Sequence, residues 1–268
     1  MLISPHSNLI KFTEEQNESY FDISTNRSDF VEVFKHKWNY KKVRDKKIIS
    51  RMKKILSQKP KNKPLEFLEN IKLANEGLLF FHRHYGGNQQ WYDERAKIQK
   101  GCGPVVAANI SYYLAKKDKG KYEKLFNPKD LSQQEFTMHM ESLYHHMKPG
   151  VFGMTSLFDF SSKTESYALS RNVSLNRVSN KSKFTLDNTT MYIKEGLLSN
   201  CPVATLNLLW PKTGYPYAWH WMTITGYSRD TFDNRWITVS TWGEKRIINY
   251  RAYFQAMFWF GGGLMYFN

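Results

Sequence analysis

Apolar residues recur at helical spacing through most of the first two thirds of the chain and at alternating positions through the last third. That change of period predicts helices followed by strands. Ser28-Asp29 can cap a helix carrying Phe30, Phe34 and Trp38, and its apolar stripe continues through Ile48, Ile49, Met52, Ile55 and Leu56. Residues 58–64 hold two prolines and no apolar side chain, which reads as a linker. A second helical pattern starts at Leu65 and runs through Phe67, Leu68, Ile71 and Leu73 towards Leu78. A third opens at Cys102, with Pro104 in its first turn and Val105, Ala108, Tyr112 and Tyr113 near helical spacing. Ser132 and Glu135 form a capping box ahead of Phe136, Met140, Leu143 and Met147. Helix is also expected over about 155–170, and a short helix capped by Thr189 or Thr190 runs through Ile193 to Leu198. Residues 201–209 are mostly apolar and predict a central strand. Residues 219–227 alternate, with His220, Met222 and Ile224 on one face. Strands follow over 235–242, 245–250 and 264–267, the last after three consecutive glycines. The expected class is α+β, a helical first half and a mostly antiparallel sheet.

The chain has 268 residues, 41% hydrophobic and 16% aromatic, enough for a sizeable core. The domain reading is a basic helical segment at 1–75 and a larger domain at 76–268. Two cysteines, Cys102 and Cys201, make no disulfide framework. No apolar stretch reaches membrane-spanning length, and the first twenty residues have no signal-peptide core. A cytoplasmic protein is expected, although export by another route leaves no mark in a sequence. The net charge of +15 favours polyanionic partners. It concentrates at residues 35–63, where thirteen Lys and Arg face one acid, Asp45. Such a segment either packs its apolar stripe on the main domain or lies on an anionic partner or surface.

The candidate chemistry starts at Cys102, set between Gly101 and Gly103. A thiol at a helix N-terminus faces unpaired N–H groups, so its pKa is expected to fall and a nucleophile to form. The glycines would let substrate or backbone approach the sulfur. The competing reading is a small buried cysteine. Gly86-Gly87-Asn88 is a turn that delivers Gln89 and Gln90 into the loop before Cys102, where an amide can donate to an oxyanion. His82 and His84 share a face if their segment is a strand, but no Cys or carboxylate completes a metal site at a familiar spacing, and no cofactor is implied. His139, His145 and His146 lack the i,i+4 spacing of a helical metal pair and read as surface or half-buried residues.

His220 leads a strand well after Cys102, and Ser240-Thr241-Trp242-Gly243 follows on the next one. This order of parts resembles the papain-like cysteine peptidases. Cys102-Gly103-Pro104 with Tyr112-Tyr113-Leu114, and the run from His220 to Tyr227, look most like the bacterial double-glycine leader (bacteriocin-processing) peptidase branch. The resemblance covers roughly residues 85–250 and implies a papain-like fold. It implies acyl transfer or amide or peptide hydrolysis, with Cys102 as nucleophile and His220 as base. Gln89 would serve the oxyanion, with Gln99 as the second choice. Ser240 would orient His220 where the family has Asn or Asp, with Thr241 as its rival. The substrate would be a peptide or amide; the oligomeric state stays open. One alternative is a catalytically weak scaffold of the same fold that binds a peptide or protein. The other is a basic module for nucleic acid or an anionic surface, in which Cys102 is incidental.

Overall fold

In the computed structural model the change of period falls where the sequence places it, and the chain is α+β. The structure describes residue 50 and residues 66–69, 80–81, 84–126 and 132–268, with the backbone alone at 66–69, 80, 81 and 212. Apart from Ser50, the basic stretch 35–63 lies outside the described residues.

Among the described residues, short strands come first: β1 (Glu66–Glu69), β2 (Phe80–Phe81) and β3 (His84–Tyr85). The helical region follows as α1 (Arg95–Lys100), α2 (Cys102–Lys117), α3 (Lys119–Tyr122), α4 (Gln133–Met147) and α5 (Leu157–Ser170). Next are β4 (Arg177–Val178) and α6 (Leu186–Leu198). The sheet-forming part holds β5 (Val203–Asn207), β6 (His220–Arg229), β7 (Arg235–Thr241), β8 (Glu244–Asn249), α7 (Tyr250–Phe260) and β9 (Gly262–Phe267). Seven strands make one antiparallel sheet in the order β4-β9-β5-β6-β7-β8, with β1 also paired to β6.

Several boundaries follow directly from local chemistry. Ser132 caps α4 by accepting the Glu135 N–H at 3.2 Å, and Phe136, Met140, Leu143 and Met147 are all buried. The cap of α6 is Thr185, not Thr189 or Thr190, so this helix is a full turn longer than its sequence suggests. Thr189 and Thr190 instead bond carbonyls one turn back inside it. Residues 66–69 are strand, although the apolar spacing from Leu65 predicts helix. β1 pairs with β6 from Glu66 against Arg229 to Glu69 against Gly226, beyond the end of β5 on the same edge. An open edge on a long strand thus overrides a weak local pattern, and the main sheet takes in residues before 76. Helix α7, capped by Asn249 accepting the Ala252 N–H at 3.1 Å, lies where no element was expected.

All five residues of β5 are buried because both faces of the sheet are covered. Thr223 on β6 and Ser240 on β7 lie opposite each other and take Asn109 of α2 at 3.2 and 3.3 Å, so α2 covers one face. Phe160 of α5 stacks on Trp221 on that same face, with ring centroids 4.2 Å apart. Thr205 of β5 has the opposite parity and bonds the Tyr253 hydroxyl of α7 at 3.2 Å, so α7 covers the other face.

Asn109 is the brace between these layers. Its Oδ1 accepts the Gly87 N–H at 2.9 Å while its Nδ2 donates to the two strand hydroxyls. Asn109→Ala leaves buried groups on three segments without this partner, an expected loss of about 2–4 kcal/mol. Urea denaturation checks this; an unchanged midpoint would remove the bracing role.

Candidate functional site

Cys102 is the first residue of α2 and is half-buried. The glycines around it serve packing. A Cβ on Gly101 would lie 2.4 Å from the Tyr92 ring and 2.6 Å from the Lys97 carbonyl, which only glycine avoids. Gly103 faces Met154, whose side chain would stand 3.2 Å from an added Cβ. Enclosure changes the electrostatics. Burial pushes the Cys102 thiol up, while the backbone N–H groups of Trp221, Gly103 and Cys102 pull it down without reversing that. The low-pKa thiol expected from the helix N-terminus is therefore corrected: the resting group is a neutral thiol. The influence of the Trp221 amide puts the thiol near the β6 backbone, one residue along the chain from His220.

His220 opens β6 and is buried. Trp219 before it has a φ of 52°, a left-handed turn that starts the strand abruptly. Ring atom Nε2 of His220 lies 2.8 Å from Thr241 Oγ1. Burial first, and the charge of Arg246 second, push its pKa down to about 3, so the imidazole is neutral near pH 7.

The expectation that Ser240 orients His220 is corrected here. Ser240 Oγ donates to the Tyr85 carbonyl at 2.6 Å and accepts from Asn109 on the α2 face. Side chains alternate along β7, so Thr241 emerges on the opposite face, which is also the face of His220. Thr241 ends β7 and pairs with Glu244 across the two-residue turn Trp242-Gly243. Both turn residues have positive φ, 51° and 73°, the signature of a type I′ hairpin. Tryptophan replaces the asparagine that such a position favours. The compensation is a contact: the indole stacks on His220 with centroids 4.5 Å apart and planes 12° apart. The same indole stacks on Tyr217 at 5.9 Å and lies under the Arg246 guanidinium at 4.8 Å.

Gln89 sits in a 3₁₀ turn, Gln89–Trp91, whose cap is Asn88. Its Nε2 donates to the Ile98 carbonyl of α1 at 2.9 Å, so this amide fastens the loop to the helix before Cys102. Gln99 is exposed. The structure thus brings Cys102 to the strand of His220 and brings Thr241 to the ring, and it engages Ser240 and Gln89 elsewhere. Sequence reasoning missed Asn109 and Arg246, and used Trp242 only as a marker for the residues before it. The spacing of Asn109, seven residues after Cys102 and so two turns along α2, was the available signal.

His82 lies outside the described residues, and His84 meets the Trp91 ring edge-on at 4.9 Å. His139 is buried rather than at the surface. Its Nε2 lies 2.8 Å from Ser111 Oγ, and Phe126 and Tyr167 enclose it. Among the described residues no group of three or more His, Cys, Asp or Glu is disposed to hold a metal ion. Nor is any helix among them long and apolar enough to cross a membrane. Compared with family models, with curated proteins and with solved structures, the chain finds no match in any of the three.

Proposed function

We propose that the chain is a cysteine-dependent enzyme of the papain-like type, performing acyl transfer or amide or peptide hydrolysis. The observation that carries this reading is that the Cys102 thiol feels the backbone N–H of Trp221, the next residue in the chain to His220, whose own Nε2 lies 2.8 Å from Thr241 Oγ1. With Nε2 carrying its proton towards Thr241, Nδ1 is the basic nitrogen. Thiol and imidazole both rest neutral, so His220 acts as a general base at the moment of attack rather than as half of a standing ion pair. The Cys102 sulfur bonds to the substrate carbonyl carbon as its proton passes to Nδ1. The oxyanion falls to backbone N–H groups at the start of α2, since the Gln89 amide is engaged with Ile98. His220 returns the proton to the leaving amine. Water, an amine or a thiol then takes the acyl group from sulfur.

The basic residues 35–63 suit an anionic partner, and two free cysteines suit a reducing, cytoplasmic setting. A second reading, a catalytically weak scaffold that binds a peptide, is favoured by the raised thiol pKa and by a hydroxyl in place of a carboxylate or amide at the orienting position.

Parity along β7 separates the two candidate orienters. Thr241→Ala is expected to lower kcat/KM about 10–100-fold, and Thr241→Asn to preserve or raise it. Ser240→Ala should act on stability through Tyr85 and Asn109 and leave kcat/KM within about threefold. Steady-state assays on a fluorogenic peptide library decide the matter; a Ser240 variant that is folded but inactive would reverse the assignment.

A further inference from the structure

The charged side chain that the geometry ties to the His220–Thr241 pair, through the Trp242 ring, is Arg246 on β8. Its guanidinium lies 4.8 Å from the centroid of the Trp242 ring, and that ring stacks on His220 at 4.5 Å. Two contacts fix the guanidinium in place: its Nε donates to Glu244 Oε2 at 2.9 Å, and its second terminal nitrogen reaches the same oxygen at 2.7 Å. Tyr217 stacks on the Trp242 indole beside it. Trp242 occupies a left-handed turn position that costs a bulky residue roughly 1 kcal/mol or more, so something beyond the backbone must hold its ring in place. An arginine stacks on an indole face better than lysine does, because its guanidinium is planar.

We propose that Arg246 is a positioning residue for His220, bracing Trp242 against the imidazole and keeping a fixed cation beside it. This rests on the reading of His220 as the base. The charged and titratable groups tied to the ring through Trp242 are Arg246 with its partner Glu244 on β8, and Tyr217 before β6. Arg246 is the group whose charge opposes a second proton on the ring. Arg246 thereby favours the neutral base over the imidazolium, and the indole holds the ring plane so that Nε2 stays on Thr241.

The test uses the full chain and two readouts. In the first, the His220 ring is titrated by NMR in the wild type, Arg246→Gln and Arg246→Lys. Arg246→Gln is expected to raise the ring midpoint by about one pH unit. Arg246→Lys should keep the midpoint near that of the wild type while altering the ring-current shifts that Trp242 imposes on His220. An unchanged midpoint and unchanged ring-current shifts in folded Arg246→Gln would overturn the proposal. In the second, the acid limb of kcat/KM in Arg246→Gln should move to higher pH by the same amount, with KM nearly unchanged. Should the wild type show no Cys102-dependent turnover, the enzyme reading fails while the NMR arm still decides the role of Arg246.

Discussion

Cys102→Ala is expected to abolish turnover, by roughly 10³-fold or more, while leaving the fold and its urea midpoint nearly unchanged. The size follows from the role: without the sulfur there is no covalent acyl intermediate, and the remaining groups bind without reacting. The tolerance follows from the small volume removed, a single sulfur atom, and from Gly101 and Gly103 rather than Cys102 making the tight contacts with Tyr92 and Met154. Two companion results give the mechanism. His220→Ala should cost a similar factor. Alkylation of the native chain by iodoacetamide should be slow near neutral pH and accelerate only above the range of an ordinary thiol, because burial holds the Cys102 pKa up. Cys201, buried with its thiol also pushed up, should react no faster. Rapid alkylation of Cys102 at pH 6 would mean a standing thiolate and would remove the general-base form of the mechanism. Full activity in Cys102→Ala would remove the enzyme reading based on this residue.

The second large effect is acid lability. His139 and His220 are both buried, and burial pushes each pKa from an ordinary 6.5 down to about 3. Between those values the unfolded chain binds protons that the folded chain refuses. Stability must therefore fall as the pH drops from about 6.5 towards 3, and must be largely free of these two groups above about 7. At pH 5 the linkage is worth about 2 kcal/mol per histidine relative to neutral pH, a large share of a normal folding free energy. Urea denaturation at pH 7 and pH 5 measures the sum, and His139→Gln should remove about half of the difference. Equal stability at the two pH values would show that the folded protein accepts these protons, through partners or through local opening.

The proposal of a Cys102–His220 pair comes from order and local pattern in the sequence. A cysteine at the head of an apolar helix, a histidine at the head of an alternating strand and a Trp-Gly turn after the next strand are all features of nearby residues. The choice between Ser240 and Thr241 was not legible. Both are small hydroxyl residues at adjacent positions, and only the face that meets α2 distinguishes them. That face is set by the pairing of Thr223 with Ser240 and by the reach of Asn109, which is contact between segments more than a hundred residues apart. The pKa of Cys102 was misread for a related reason. The helix N-terminus that lowers it is local, whereas the burial that raises it comes from packing across the fold.

The sequence by itself determined the class and the punctuation of this protein: the switch from helical to alternating period, the Ser132 cap, the buried central strand β5 and the tight turns. Those follow from residue spacing, cap chemistry and backbone preference, which act within a few residues. Tertiary structure alone decided that residues 66–69 extend the sheet, that Thr241 rather than Ser240 meets His220, that Gln89 holds Ile98, and that Arg246 lies over Trp242. Each of these depends on register and burial between distant segments. A shift of one residue in that register would exchange the two faces of β7 without changing a single local preference.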